Sequence, residues 1–474
     1  MAAELILVTG ANGYIASRLI PRLLERGYRV RALARQPERL TGRPWLRSVE
    51  PMRADVHLSG SLDAALAGVH TAYYLVHSMA SGRGYTRVEL EAARLFAEAA
   101  ERAGVEHIIY LGGLADPAAP NLAPHMRSRI QTGQTLRRGR VPVTEFRAGV
   151  IAGPGSISFE MIRYLTEAFP ILPGPRWLRN RAQPIAATNV VDYLVAALDH
   201  PEARGRIYEV GGPELMQYAD TMLGYARKRG LRRWLFTLPG IPIALMARTV
   251  DWLTPVHYPI ATPLVGGLQS DSIVLDDAAL QAFPEVKLLP YGQAVEASLA
   301  DLTPARLERV WEGMGRNAMQ MKHEGFLVDY RCVDVEAPPE AIYRVIASLG
   351  GHGGWPYANW LWSLRGWIDT LINPRRSAPR QARVGQNDAR AGDVAGYYRV
   401  EEVQPGRMMR LYSLLRAPGE GWMEWRIDEH RLTQTAFFAP RGLPGFLYWV
   451  LLNPFHQLVF RGLIRAIKQR SEAA

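Results

Sequence analysis

The segment LVTGANGYIASRL, at residues 7–19, joins an apolar strand to an amphipathic helix through a glycine turn. Gly10 and Gly13 allow the backbone to turn sharply and to approach a ligand closely. The helix that follows offers free amides and the positive end of its dipole to an anion. Because strand, turn and helix follow one another directly, the pattern predicts the first βαβ unit of a dinucleotide-binding domain. The alternative is a tight turn without a ligand.

Short β-branched runs alternate with helical stretches over roughly the first 215 residues. This alternation predicts a doubly wound parallel sheet with right-handed crossovers, an α/β Rossmann domain. We expect strands at residues 5–8, 29–34, 49–53, 71–76, 107–111, 143–148 and 207–210. Residues 216–300 are irregular and rich in proline, and we expect this domain to span residues 1–300, with a lobe at 150–300 that closes the substrate side. A membrane-surface segment is the alternative for the proline-rich stretch.

The pattern changes after residue 300. Residues 301–324 are predicted to form a linker helix, and residues 325–474 a separate α+β domain. In that domain a helix opens at Pro338-Pro339, and antiparallel strands are expected at 394–403, 407–416, 421–428 and 431–438. The terminal helical region is expected to split at Asn453-Pro454, with Asn453 as the cap and Pro454 in the first helical position.

Composition limits the classes of partner and compartment. The 56 basic residues exceed the 45 acidic ones, but the arginines are scattered without a basic run, so we predict no nucleic-acid partner. Cys332 is the only cysteine, no Cys/His pair has metal spacing, and no apolar stretch reaches about 18 residues. We therefore expect a cytoplasmic protein without a metal, with peripheral contact at the inner membrane face as a further possibility. The oligomeric state is left open.

The residues expected to hold a coenzyme lie where the predicted strands end. Those around the glycine turn are Gly10, Asn12, Gly13, Tyr14 and Ile15. The second strand ends in RVRALARQPER, with no acid before Glu38, so Arg35 is the best candidate to hold a 2′-phosphate, and NADP is favoured over NAD. A solvated basic loop is the alternative. Asp55 and Val56 are expected near the adenine, and His77 with Ser78 near the nicotinamide.

The first half resembles the atypical, NmrA-like branch of the short-chain dehydrogenase/reductase superfamily. The matching segments are TGANGYIASRLIPRLLERGYRVRALAR, VEHIIYLGGL, VTEFRAGVIAGPGS and IYEVGGPE, which cover residues 4–215, and looser similarity continues to residue 300. The whole chain resembles the bacterial YbjT-type family, in which such a domain is fused to a DUF2867 domain. GHGGWPYANWLWSLRGWIDTL and FFAPRGLPGFLYWVLLNPFHQLVFRGL carry that second resemblance, and its order of elements is similar to the START-like helix-grip fold.

The resemblance implies NADP(H) binding more firmly than a reaction. Active members of the superfamily use a Tyr-x-x-x-Lys pair after the fifth strand, but the first lysine of this chain is Lys228. By spacing, His125 takes the tyrosine position and Arg129 the lysine position. His125 could titrate near neutrality and donate a proton, and Arg129 could hold the coenzyme ribose. The alternatives are that His125 caps its helix and that Arg129 pairs with a surface acid.

The expected function is an NADP-dependent oxidoreductase that acts on a hydrophobic carbonyl, enone or quinone. A non-catalytic NADP-binding regulator or redox sensor and a membrane-associated assembly factor are the alternatives. In the second half an aromatic group is expected to line a pocket for a small hydrophobic ligand or to fill the core. Its members are Trp355, Tyr357, Trp360, Trp362 and Trp367.

Overall fold

The computed structural model describes residues 4–77, 84–120, 122–350, 354–372 and 389–473. The chain divides into two compact units, Met1–Met314 and Gly315–Ala474. Each unit is described below by itself. In the described part of the chain, no helix combines the length and apolarity needed to cross a membrane.

The first unit begins as strands and helices in alternation, as the hydrophobic pattern predicts. In chain order they are β1 (Leu5–Thr9), α1 (Tyr14–Glu25), β2 (Arg29–Ala34), β3 (Glu50–Arg53), α2 (Ser59–Leu66), β4 (Thr71–Tyr74), α3 (Tyr85–Arg102), β5 (His107–Gly113), α4 (Pro124–Arg137) and β6 (Val143–Ala148).

The rest of the unit consists of shorter strands and a group of helices. They are β7 (Ile151–Ala152), α5 (Ile157–Ala168), β8 (Ile171–Pro175), β9 (Arg181–Ala182), β10 (Ile185–Ala186), α6 (Ala187–Ala196), β11 (Ile207–Val210), β12 (Met216–Gln217), α7 (Tyr218–Arg229), β13 (Trp234–Leu238), α8 (Ile243–Leu253), α9 (Tyr258–Gly267), α10 (Ala278–Ala282) and α11 (Tyr291–Ala300).

Seven of these strands form one parallel sheet in the order β11-β6-β5-β4-β1-β2-β3. The order reverses between β1 and β4, so the predicted doubly wound Rossmann architecture is confirmed. In such sheets ligands bind outside the carboxyl ends of the strands at this reversal. The glycine turn follows β1 and therefore lies at that point.

Both faces of the sheet are buried because alternate side chains of each strand point to opposite sides. In β1, Ile6 and Val8 pack with Leu19 of α1 and Leu194 of α6. Leu7 belongs to the other layer, with residues of α2 and α3 such as Phe96. This double cover fixes the strand ends, and with them the coenzyme turn.

The predicted linker helix at residues 301–324 is wrong. Residues 301–311 form turns, and residues 318–323 form a strand, β14 (Ala318–His323). Leu307 and Trp311 are buried in the first unit, where Arg43 pairs with Glu308. Glu324 and Gly325 then have φ values of +46° and +87°, which suits a two-residue hairpin turn. Tertiary packing and this turn therefore override the helical spacing.

The second unit is α+β, as predicted. Its elements are β14, β15 (Phe326–Asp334), α12 (Pro339–Ala347), α13 (Asn359–Ile372), β16 (Val394–Ala395), β17 (Tyr398–Gln404), β18 (Met408–Ser413), β19 (Gly419–Asp428), β20 (Arg431–Pro440) and α14 (Gly442–Glu472). The strands form an antiparallel sheet in the order β14-β15-β20-β19-β18-β17-β16. One face of it packs on the helices, with Ile342, Trp425 and Leu463 in the shared core.

The expected break at Asn453-Pro454 is also wrong, because α14 runs through both residues. The Asn453 side chain does not cap a helix but accepts a hydrogen bond from Gln320 Nε2 at 2.7 Å. Pro454 removes one backbone donor, whose acceptor four residues earlier would be the carbonyl of Val450. Val450 is 64% exposed, so we expect water to satisfy that carbonyl.

The aromatic group of the second unit divides between core and surface. Trp355 and Trp362 are buried and stacked, with ring centroids 4.4 Å apart. Trp360 and Trp367 are exposed, and Tyr357 is half-buried. The aromatic group as a whole therefore neither fills the core nor lines a pocket.

Candidate functional site

The glycine turn after β1 has the geometry that the sequence predicts. Gly10 has a φ of +63°, in the left-handed region that favours glycine. The amide of Gly13 donates to the carbonyl of Gly10 at 2.7 Å, and the amide of Ala11 donates to the carbonyl of Leu33 at 3.0 Å. A Cβ at Gly13 would lie only 3.0 Å from the Gly10 carbonyl oxygen. The turn is therefore compact and tied to the end of β2.

The start of α1 is free to bind an anion. Gly13 occupies the N-cap position without a side-chain cap, and the first turn carries no acid. The first helical bond runs from the amide of Ser17 to the carbonyl of Gly13, so the helical amides before Ser17, such as that of Ile15, have no acceptor within the helix. Asn12 is exposed beside them. These residues fit the pyrophosphate of a dinucleotide.

Arg35 follows β2 directly at the same sheet edge, where it is exposed. It forms no hydrogen bond or ion pair with the described residues, and it is close enough to Asp55 to help lower the pKa of that carboxyl. Burial acts against this shift, whereas hydrogen bonds from the backbone and side chain of His57 favour it. Arg35 is thus an available cation beside a carboxylate that His57 already holds.

The neighbouring candidates have structural partners. Arg31 donates to the carbonyls of Ala65 and Ala67 at 2.7 and 2.9 Å, so it holds the end of α2. The side chain of Val56 is buried in the core. The coenzyme roles of Asp55 and Val56 stay predictions. The Val56 side chain packs in the core, so only its backbone is available to a coenzyme.

A buried carboxylate organises the next part of the sheet edge. Glu89 of α3 is 1% exposed. It accepts hydrogen bonds from His77 Nδ1 at 2.8 Å and from Ser128 Oγ, and Arg129 Nη1 lies 3.7 Å from its Oε1. Burial alone would raise the pKa of Glu89, but the His77 bond and the Arg129 charge outweigh burial and lower it. Glu89 is therefore a carboxylate anchor for two of the predicted site residues.

Arg129 is consequently held on the protein rather than left free at the sheet edge. Its Nη2 donates to the carbonyl of Leu111, and its own carbonyl accepts from Tyr110 Oη at 2.9 Å. The predicted alternative of a surface ion pair is wrong, because the partner acid is buried. Whether Arg129 also contacts a coenzyme stays a prediction. Ser78 lies outside the described residues.

His125 lies in a cavity of about 180 Å³ at the carboxyl ends of β5 and β6. The cavity begins at Gly113, the last residue of β5, and at Gly149, which follows β6. Apolar side chains such as Met161 and Leu264 line it. The His125 ring packs on Gly267 of α9, where a Cβ would come within 2.5 Å of Cε1. His125 does not cap α4, so that alternative is wrong.

The expectation that His125 titrates near neutrality is wrong for the protein without a bound coenzyme or substrate. Burial, followed by the nearby His77 and Arg129, lowers the pKa of His125 to about 4. Its ring is 6% exposed, and its Nδ1 has no hydrogen-bond partner among the described residues. His125 is therefore a neutral imidazole at physiological pH.

This buried histidine makes stability depend on pH. Its pKa is lower in the folded than in the unfolded protein, so its contribution is complete above about pH 6.5 and is lost as the pH falls toward 4. About 2 kcal/mol should be lost by pH 5. In His125→Gln we expect the difference in unfolding free energy between pH 7.5 and pH 5, measured with urea, to shrink by about that amount.

The exposed His257 provides the matched control, because His257→Gln should leave the pH difference of the wild type unchanged. The wild type and both variants contain the same second unit. The pH dependence of that unit's stability therefore cancels in the comparison. An unchanged pH difference in His125→Gln would contradict the buried neutral state.

Sequence reasoning missed Glu89, although the chain contains a signal for it. Ala93, Phe96 and Ala100 of α3 are buried on one helical face, and Glu89 lies four residues before the first of them on that face. An acid inside an apolar stripe is rare unless it is paired. Among the described residues, no group of three metal-ligating side chains is close enough to hold a metal ion.

Two family profiles match the chain, one in each unit. Residues 10–137 match the NAD(P)H-binding family. This range contains the glycine turn, Arg35 and the Glu89 group, which consists of Glu89, His77, Ser128 and Arg129. Residues 323–463 match DUF2867, a protein family of unknown function.

Curated relatives match parts of the chain. The chain is 41% identical over 83 residues to a dihydroflavonol 4-reductase of Dianthus caryophyllus, across 16% of this chain and 23% of the relative. It is 31% identical to cinnamoyl-CoA reductase 1 of Oryza sativa, across 26% of this chain and 38% of the relative. It thus spans less than two fifths of the length of either. A ceramide reductase of Caulobacter vibrioides is 27% identical across 56% of this chain and 83% of its own.

Solved structures share the fold of the first unit. A triphenylmethane reductase of Citrobacter sp., complexed with NADP(H), has a TM-score of 0.50 and 16% identity, over 62% of this chain and 99% of its own. An NADPH-dependent quinone oxidoreductase of Escherichia coli, complexed with NADPH, gives the same values. The two family profiles, the glycine turn and the strand order together show an NAD(P)H-binding Rossmann domain joined to a DUF2867 domain.

Proposed function

We propose that the first unit is an NADP(H)-dependent reductase of an apolar quinone or enone. The observation that carries this proposal is the cavity of about 180 Å³ at the carboxyl ends of β5 and β6. It lies at the same sheet edge as the coenzyme turn, and Met161, Met222 and Leu264 give it an apolar lining. An apolar substrate held there would lie beside the end of the dinucleotide farthest from Arg35.

Different residues of the chain would bind different parts of the coenzyme. The amides at the start of α1 would bind the pyrophosphate, and Arg35 would bind a 2′-phosphate in a bidentate manner. When bound, the coenzyme supplies the hydride chemistry of the reaction. The protein then has to position an acceptor at the cavity and to exclude water from it.

The states of His125 and Arg129, at the positions of the superfamily's proton-transfer pair, narrow the class of substrate. A simple ketone becomes an alkoxide on reduction and needs an acid beside it, but His125 is neutral with a pKa lowered to about 4. The Arg129 guanidinium is engaged with Glu89 and the Leu111 carbonyl. A reduced quinone is a stabilised phenolate that takes its proton from water, so the site favours quinones over ketones. The two structural neighbours, named for reduction of quinones and of triphenylmethane dyes, support this preference.

A non-catalytic NADP-binding regulator is the second candidate. The observation that favours it is the buried group around Glu89, because it engages Arg129, which takes the position of the superfamily's lysine. Such a protein would bind the coenzyme with the same residues but would not turn it over.

An NADPH oxidation assay against acceptors of graded chemistry separates the two candidates. We expect turnover with a naphthoquinone, less with cinnamaldehyde and none with acetophenone. Ser158 lines the cavity from the start of α5, so Ser158→Trp should reduce kcat/KM for the quinone at least tenfold by blocking it. NADPH affinity should stay unchanged in this variant, since Ser158 is not among the coenzyme residues. Tight NADPH binding without turnover of any acceptor would favour the regulator.

A further inference from the structure

The second unit contains a cavity of about 300 Å³ between its sheet and the helices α13 and α14. Tyr398, Gly421 and Phe438 lie on the sheet side, and Trp362 and Trp449 lie on the helix side. The Phe438 and Trp449 rings are nearly parallel, at 12°, with centroids 5.6 Å apart. The walls are therefore flat and aromatic, and the volume is within the range of small-molecule sites.

Two of the residues that line this cavity each have a buried polar atom without a partner. Trp362 Nε1 and His456 Nδ1 are both buried without a hydrogen bond to any described residue. Burying a polar group in this way is unfavourable unless something else binds it. Among the described residues that line the cavity, none is an acid, a lysine or an arginine. Burial lowers the pKa of His456 to about 4, so the imidazole is neutral.

The cavity reaches the surface between the two helices. Leu364 of α13 and Phe455 of α14 both line it, yet they are 43% and 54% exposed. A ligand could therefore enter the cavity past these two apolar side chains.

We propose that this cavity binds a neutral, flat apolar molecule with one hydrogen-bond acceptor, which Trp362 Nε1 holds. The aromatic walls select the ring system, and the absence of a charged lining residue excludes anions and cations, whose burial would be uncompensated. The donor at Trp362 selects a carbonyl or hydroxyl oxygen. The site lies wholly within the second unit and does not depend on the reductase proposal.

The neutral naphthalene ketone prodan is a suitable probe for the full-length protein. Trp362, Trp422 and Trp449 all line the cavity, so bound prodan should accept energy from tryptophan excitation. We expect saturable binding at one site with a blue-shifted emission. Emission that rises linearly with probe concentration would overturn the proposal.

A filling variant tests the location. Gly421 lies on the cavity side of β19, and a Cβ there would meet only ordinary contacts, the nearest being Ser413 Cβ at 3.6 Å. Gly421→Leu should therefore fold, fill the cavity and weaken prodan binding at least tenfold. Leu458→Ala is the control, because Leu458 is an exposed residue of α14 that does not line the cavity. Equal affinity in wild type and Gly421→Leu would place the probe elsewhere and refute the site.

A second variant tests the hydrogen bond apart from the packing. Trp362→Phe keeps an aromatic ring against Trp355 but removes the N–H donor. It should weaken prodan about fivefold to tenfold and leave the affinity for dimethylaminonaphthalene, which lacks the ketone, unchanged. If both probes weaken equally, Trp362 contributes only packing and the assigned donor is wrong.

Discussion

Replacing Arg35 with alanine is expected to remove most of the protein's preference for NADPH over NADH. Arg35 is exposed directly after β2, and it has no hydrogen bond or ion pair with the described residues that would have to be broken. Charged hydrogen bonds of the kind that arginine makes to phosphate contribute about 1.5–3 kcal/mol. Arg35→Ala should therefore weaken NADPH binding roughly tenfold to 100-fold and change NADH binding little.

Titration of both coenzymes against wild type and variant checks this result. Arg29 is the matched control, because it is exposed at the opposite end of the same strand, away from the coenzyme edge. Arg29→Ala should retain the wild-type preference. Equal affinities for NADPH and NADH in the wild type would show that Arg35 does not read the 2′-phosphate, even if the glycine turn binds the rest of the coenzyme.

Local patterns in the sequence were enough to predict the Rossmann sheet. Arg29–Ala34, Val143–Ala148 and Ile207–Val210 form strands with the predicted bounds. Each strand is short, rich in β-branched or apolar residues and followed by a polar or glycine-containing segment. The local sequence is therefore enough to show where each strand begins and ends. The coenzyme turn was predictable for the same reason, since it lies within one βαβ unit.

The errors occur where contacts outside the predicted helix decide the conformation. Residues 318–323 become a strand because they pair with β15 across a two-residue turn. Pro454 stays inside α14 because Asn453 binds Gln320 of the sheet instead of capping a new helix. Gln320 lies 133 residues from Asn453, so capping rules could not reveal that contact. The hairpin partner β15 is adjacent in sequence, and the turn at Glu324 and Gly325 is the local signal that the helical spacing obscured.

In the candidate site, too, the features set by local sequence were predictable and the tertiary contacts were not. Gly10 and Arg35 were found from adjacent residues, whereas the Glu89 group joins residues from the end of β4, from α3 and from α4. Spacing placed His125 and Arg129 at the right sheet edge but could not give their environment. The burial that makes His125 neutral and the carboxylate that holds Arg129 are tertiary properties.

Glu89→Ala is expected to be strongly destabilising, because it leaves the charge of Arg129 and the polar groups of Ser128 and His77 without their partner. Removing one member of a buried ion pair costs about 3–5 kcal/mol. For a unit of this size that corresponds to a fall in Tm of roughly 10 °C, which a thermal melt followed by circular dichroism would measure. Glu91→Ala, two residues along α3, loses only an exposed ion pair with Arg94 and should change the Tm by no more than about 2 °C.

The pH dependence and a double variant identify the cause of this loss. Because the folded protein lowers the pKa of Glu89, its stabilisation is present above about pH 4.5 and is lost at more acidic pH. The difference between wild type and Glu89→Ala should therefore shrink on acidification. Glu89→Leu combined with Arg129→Leu should be more stable than Glu89→Ala, since an apolar pair leaves no buried charge unpaired. If the double variant is as unstable as Glu89→Ala, lost packing rather than the unpaired charge accounts for the effect.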